Sequence, residues 1–190
     1  MTTIFEAACA RAHEGMEVAA VAGRDPQRPA IFSQYGDLDF DQLNRRVNQV
    51  ARQLRAAGIG PGDPVALLCG NRPEFIVVRF ACHRLGVRLT PVNWHLAPEE
   101  IAYVVENSDA LALFADVRAE PGAALALAQA PALRVKVSIG GAIEGFESWD
   151  ASLSQDDSNI AEPVLGTMML YTSGTTGLPK GVLSKQPDPQ

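Results

Sequence analysis

Apolar positions along the chain switch between two periods, and the switches mark its elements. Phe40, Leu43, Val47, Val50, Leu54 and Ala57 recur at steps of three and four, one apolar stripe of a helix. Arg45, Arg46, Arg52 and Arg55 fall largely off that stripe and read as its wet face. Asp39 and Gln42 stand three apart at its start, the spacing of a capping box with Asp in place of Ser or Thr. Gly58 suits the left-handed residue just past its end. The same helical step at Ile4, Phe5, Ala8, Cys9 and Ala12 predicts an amphipathic helix in the first half of residues 4–22, before a Gly/Asp/Pro loop at 23–29. Between the two helices, 30–34 and 38–40 read as a small hairpin around Tyr35-Gly36-Asp37.

Beyond Gly58 the pattern alternates. Residues 65–69 form a continuous apolar run, which suits a strand covered on both faces. A helix at 75–85 follows, with Asn71 placed to cap it, Pro73 in its first turn and Gly86 as its stop. Then come a strand at 87–92, a helix at 97–107 opened by Pro98-Glu99-Glu100, and a strand at 111–114. Residues 115–162 are less regular, with a helix near 122–130, a strand near 135–139 and an acidic loop at 155–162. This order predicts an α/β fold with a mostly parallel central sheet flanked by helices.

The 190 residues are 47% apolar and 20% charged, with a formal net charge of −6, as in an ordinary globular domain. Cys9, Cys69 and Cys82 are too scattered for a disulfide framework, and no Cys-x-x-Cys pair suggests zinc; no metal-ligand set is expected. The acidic balance argues against a nucleic-acid surface. No apolar run approaches a membrane span, and no secretory signal stands at the N-terminus, so the expected setting is cytoplasmic. His83, inside a helix, reads as structural, and Cys69 and Cys82 as small core residues.

The chemistry concentrates at one place. A buried strand expected over 164–171 runs into Thr172-Ser173-Gly174-Thr175-Thr176-Gly177-Leu178-Pro179-Lys180-Gly181. Four hydroxyls, three glycines and a lysine thus follow a strand directly. Glycines let backbone N–H groups turn inward as an anion nest, hydroxyls add donors and Lys180 adds a full charge. The physical reading is a site for phosphate oxygens. It is not a Walker A loop, because Pro179 precedes Lys180, Gly181 follows it, and Val182-Leu183 reads as strand rather than helix. Only three lysines occur, Lys136, Lys180 and Lys185, against 13 arginines, so a lysine here was drawn from a small pool. Lys185 reads as a solvated surface residue.

This segment resembles the phosphate-loop signature of the adenylate-forming (AMP-binding) superfamily: acyl-CoA synthetases, peptide-synthetase adenylation domains and luciferases. The likeness is unbroken from Met169 to Lys180. It extends upstream through Leu38 to Leu43, Gly58 to Leu68, Asn71-Arg72-Pro73-Glu74-Phe75 and Pro91-Val92-Asn93 to Ile101. Thr90 to Leu96 looks most like acyl-CoA synthetases of fatty or related acids.

The resemblance implies that a carboxylic acid reacts with ATP to give acyl-AMP and pyrophosphate, and that the acyl group then passes to coenzyme A. It makes Lys180 the catalytic cation, with Thr172, Ser173, Gly174, Thr175, Thr176, Gly177 and Lys180 holding the β- and γ-phosphates. The family's adenine, ribose and Mg²⁺ ligands and its second-step lysine lie beyond this loop. The resemblance therefore implies that residues 1–184 are a partial N-terminal adenylation domain and that this piece alone is inactive; residues 185–190, polar with two prolines, read as a disordered tail. Expected partners are the acid, ATP with Mg²⁺ and coenzyme A, with a homo-oligomer left open. The alternatives are a carrier-protein adenylation domain, a luciferase-like enzyme and a non-catalytic nucleotide-binding α/β module.

Overall fold

The computed structural model describes residues 14–172 and 179–184. In chain order the elements are α1 (Glu17–Arg24), β1 (Pro29–Ile31), β2 (Leu38–Asp39), α2 (Phe40–Ala56), β3 (Pro64–Leu68) and α3 (Pro73–Arg84). They continue with β4 (Arg88–Val92), α4 (Pro98–Asn107), β5 (Ala112–Asp116), a 3₁₀ turn (Val117–Ala119), α5 (Glu120–Gln129) and β6 (Val135–Ile139). The last are β7 (Glu147–Ser148), α6 (Trp149–Ser152), β8 (Thr167–Thr172) and β9 (Lys180–Leu183). The helix expected in the first half of residues 4–22 falls outside the described residues; α1 itself runs on through Gly23 and Arg24.

β1 and β2 form the small antiparallel hairpin. The other seven strands make one sheet in the order β7-β6-β5-β3-β4-β8-β9, parallel throughout except for the β8–β9 pair. β3 and β4 are neighbours, with Val65 opposite Leu89 and Leu67 opposite Pro91. Alternation splits the buried side chains of the sheet. Val65, Leu67, Phe114 and Val137 enter a core with Leu43, Val47, Val50 and Leu54 of α2 and Val77, Val78 and Ala81 of α3. Ala66, Leu68, Leu113 and Ala115 enter a second core with Ile101, Val104 and Val105 of α4 and Ala123 and Ala126 of α5. Two helices on each face therefore cover the central strands, and this is why 65–69 reads as an unbroken apolar run.

Three details differ from the sequence reading. Asn71 does not cap α3: the N-cap is Arg72, in extended conformation with no side-chain cap bond. A residue before proline is driven to extended geometry, so Pro73 moves the helix start one residue past Asn71. The strand expected over 164–171 is not a buried one: Val164 is 43% exposed and Leu170 47%. Only Thr167 and Met168 pair with β4, and beyond them β9 is the single laddered neighbour among the described residues. The arginines of α2 are not merely wet. Arg52 Nη1 lies 3.0 Å from Asp156 Oδ2, Arg45 Nη1 3.4 Å from Asp157 Oδ2, and Arg55 donates to the Ala161 carbonyl at 3.2 Å. Asn48 donates to the Asp157 carbonyl and Gln49 to that of Ser154, so α2 straps down the acidic loop that leads to β8.

Two glycines permit the close passages on that route. Gly86 ends α3 with φ +77°, the left-handed region that other residues avoid. Gly166 passes so near the end of α3 that a Cβ there would stand 2.5 Å from the Cys82 carbonyl oxygen and 2.6 Å from that of Val87.

Candidate functional site

The sheet changes direction at β3. The chain steps from β3 to β4 on one side, then crosses back to place β5 and β6 on the other. Such a switch point opens a crevice at the carboxyl ends of the strands, because the helices that follow depart to opposite faces. Here α3 leaves β3 on one face and α5 follows β5 on the other.

Charged and aromatic groups meet in this crevice. Asp116, the last residue of β5, has no exposed surface. It accepts from the Arg118 backbone N–H and Nε, both at 3.0 Å, and from Nη2 at 2.6 Å. Burial pulls the Asp116 carboxyl upward, but the Arg118 hydrogen bonds outweigh it and hold the group below the ordinary carboxylate range. The hydrogen bonds to Asp116 push the Arg118 guanidinium further up. That guanidinium carbon sits 4.5 Å from the Trp94 ring centroid, and Trp94 stacks on His95 at 3.8 Å. Arg72 lies 4.0 Å over the Tyr35 ring and 3.3 Å from Glu74. Gly70 and Gly140 leave room for these guanidiniums: a Cβ on Gly140 would meet Arg72 Nη1 at 2.7 Å, and one on Gly70 would collide with Arg118. Each of these arginines is already matched by a carboxylate.

Two strands further along, β8 delivers the candidate phosphate loop to the same edge of the sheet. Thr172 is its last residue and Lys180 the first of β9, and the two are cross-strand partners. Thr172 Oγ1 donates to the Lys180 carbonyl at 3.5 Å. Both side chains are exposed, and Lys180 forms no ion pair among the described residues. Ser173, Gly174, Thr175, Thr176 and Gly177 lie outside the described residues, as does the tail at 185–190. The structure thus sets both ends of the loop side by side, with the cation at one of them.

The remaining candidates behave as core and framework. Cys69 and Cys82 are buried, and burial raises the Cys69 thiol to about 12, so neither is a nucleophile at neutral pH. His83 Nδ1 lies 3.1 Å from Glu17 Oε1 and links α3 to α1. Among the described residues no group of three or more His, Cys, Asp or Glu could hold a metal ion, and no helix is long and apolar enough to cross a membrane. The sequence reading missed Asp116, Arg118 and Arg72. Only Asp116 carries a local signal, a charged residue directly after an apolar run, and it gains meaning only once strand order is known.

Known proteins share this build. A fatty acid–[acyl-carrier-protein] ligase of Streptomyces coeruleorubidus is 35% identical over 164 residues, covering 85% of this chain and 31% of that protein. An indoleacetate–CoA ligase of Aromatoleum aromaticum is 34% identical over 176 residues, covering 87% and 33%. The crystal structure of an anthranilate CoA ligase in complex with anthranoyl-AMP superimposes with a TM-score of 0.77 at 27% identity, covering 87% of this chain and 34% of the other. The chain therefore spans about a third of the length of these relatives. The AMP-binding enzyme family matches residues 18–187, from α1 through the loop and β9, and the chain belongs to that family.

Proposed function

We propose that the chain supplies the phosphate-binding part of an acid–thiol ligase. In the first half-reaction a carboxylate oxygen bonds to the α-phosphorus of ATP. The bond from that phosphorus to the bridging oxygen breaks, and pyrophosphate leaves with the electron pair. Negative charge grows on the departing β- and γ-phosphates, so donors and a cation held there lower the barrier. The observation that carries the reading is the pairing of Thr172 with Lys180 across β8 and β9, which brings a hydroxyl and an ammonium to the two ends of a Gly/Ser/Thr loop at the carboxyl edge of the sheet. Ser173, Gly174, Thr175, Thr176 and Gly177 would add hydroxyl and backbone donors between them. Mg²⁺ would arrive with ATP, and the protein ligand we propose for it lies outside these residues.

In the second half-reaction a thiol attacks the acyl carbon and AMP leaves. Coenzyme A is the acceptor we propose, and a fatty or related acid the substrate, in the cytoplasm where both are supplied. A carrier-protein thiol is the second reading, favoured by the relative named as an acyl-carrier-protein ligase.

Carboxylate-dependent ATP–pyrophosphate exchange by the whole enzyme is the test. Lys180→Ala should slow exchange by about 1.5–3 kcal/mol, the scale of a charge-assisted hydrogen bond, while leaving the fold intact. Unchanged exchange removes Lys180 from the site. The 190 residues alone should release no pyrophosphate with any acid, because one end of ATP is held and the α-phosphorus is not aligned. Thioester formation with coenzyme A or with a carrier protein separates the two acceptors.

A further inference from the structure

The candidate loop stands on a hairpin that the sheet barely holds. Of β8 only Thr167 and Met168 pair with β4, so from Met169 to Thr172 the strand is laddered, among the described residues, to β9 alone. β9 is an exposed edge along its whole length. Side chains must therefore fasten this hairpin to the domain, and Tyr171 reaches in both directions. Its ring packs against the core formed with α4 and α5. Its phenol O–H donates to Asn107 Oδ1 at 2.8 Å, at the last residue of α4. On the other side it faces Gly181, its partner in the β8–β9 ladder and the residue next to Lys180. A Cβ added at Gly181 would stand 3.2 Å from Tyr171 Cζ and would collide with the Met169 side chain. Glycine at 181 thus lets the aromatic ring lie across the β9 backbone, a device that stabilises strand glycines.

We propose that Tyr171 is the positioning residue of the phosphate loop: its hydrogen bond to Asn107 and its ring over Gly181 tie the β8–β9 hairpin to α4 and so fix where Thr172 and Lys180 present their donors. The proposal rests on the phosphate-binding reading for its consequence, not for its geometry. A tyrosine that merely fills space would lose nothing on removal of its hydroxyl, so Tyr171→Phe isolates the bond. Asn107→Leu removes the acceptor from the other side, and Asn107→Asp retains one.

The experiment measures two things on the 190-residue chain: amide hydrogen exchange along β9 and affinity for Mg²⁺–ATP by NMR titration. Tyr171→Phe and Asn107→Leu should speed exchange at Val182 and Ser184, whose N–H groups face β8, about threefold to tenfold, the scale of one net hydrogen bond, and weaken Mg²⁺–ATP by a similar factor. Exchange in Val65 to Leu68 should not change, which shows that the sheet body is intact. Asn107→Asp should behave as wild type in both measurements. Wild-type exchange along β9 in Tyr171→Phe overturns the anchor. Faster exchange with unchanged Mg²⁺–ATP affinity overturns the positioning role. The expected exchange pattern in a wild-type chain that binds no Mg²⁺–ATP supports the anchor and overturns the phosphate-binding reading instead.

Discussion

Asp116 and Arg118 show how two residues can be fixed by the end of one strand. Asp116 closes β5 with no exposed surface, and three donors from Arg118 converge on it. Burial alone would raise its carboxyl above the ordinary 3.8, and the Arg118 bonds reverse the sign. A group depressed in the folded state adds stability that is complete above its unfolded value and is lost as pH falls through the folded one. Asp116→Asn should therefore cost about 1–3 kcal/mol at pH 7, where the wild-type pair is whole. The deficit should shrink once pH drops below the ordinary 3.8, because wild type then loses the same contribution. Urea unfolding of both proteins at pH 7 and at pH 3 checks this, and an equal deficit at the two pH values would remove the charge of Asp116 from the account. The pair was not legible in the sequence, where Asp116-Val117-Arg118 is an unremarkable tripeptide. Its value comes from Gly70 and Trp94, which strand order brings against it from two other strand ends.

Among the elements, α2 does two jobs that differ in how far they can be read from sequence. Its start is local. Asp39 Oδ1 accepts from the Gln42 backbone N–H at 2.8 Å, and the Asp39 N–H donates to Gln42 Oε1 at 3.1 Å, so the capping box expected from their spacing is present. Asp39→Ala should cost about 1 kcal/mol and lower the melting temperature by about 2–4 °C, with Asp39→Ser near wild type. Calorimetry decides it, and an unshifted alanine variant would show that packing alone sets the helix start. The other job is not local. Arg45, Arg52 and Arg55 hold a loop more than a hundred residues away, and no period in the sequence links the two. The strap matters for the site because the chain runs straight from it, through Gly166, into β8. The Asn71 misreading has the same root at shorter range: two capping signals competed, and the restriction imposed by Pro73 on Arg72 prevailed.

For the molecule as a whole, the three-layer build was legible because continuous apolar runs alternate with amphipathic helices, and that pattern has few other solutions. Strand order was not, since β5 returning to the far side of β3 is a property of the sheet and not of any one segment. The last two strands depart from the rest. Leu170, Val182 and Leu183 are 47%, 55% and 54% exposed, and Val164 is 43% exposed. Among the described residues β9 presents an unpaired edge whose one charged side chain is Lys180. An edge that is apolar and short of charge is a template for another strand, and exposed apolar side chains beside it add a driving force. The chain in isolation should therefore self-associate, with the midpoint set by concentration. Val182 and Leu183 are nearly half buried already, so burying the rest would contribute about 1 kcal/mol each, enough for weak association but not for an obligate dimer. Static light scattering over a wide concentration range should show rising mass for wild type. Val182→Lys places a charge on the edge and should hold the chain monomeric without changing its melting temperature by more than a degree or two, because the residue it replaces is already mostly in water. A wild-type chain that stays monomeric across the range would mean that the β8–β9 edge is protected by something other than its own side chains.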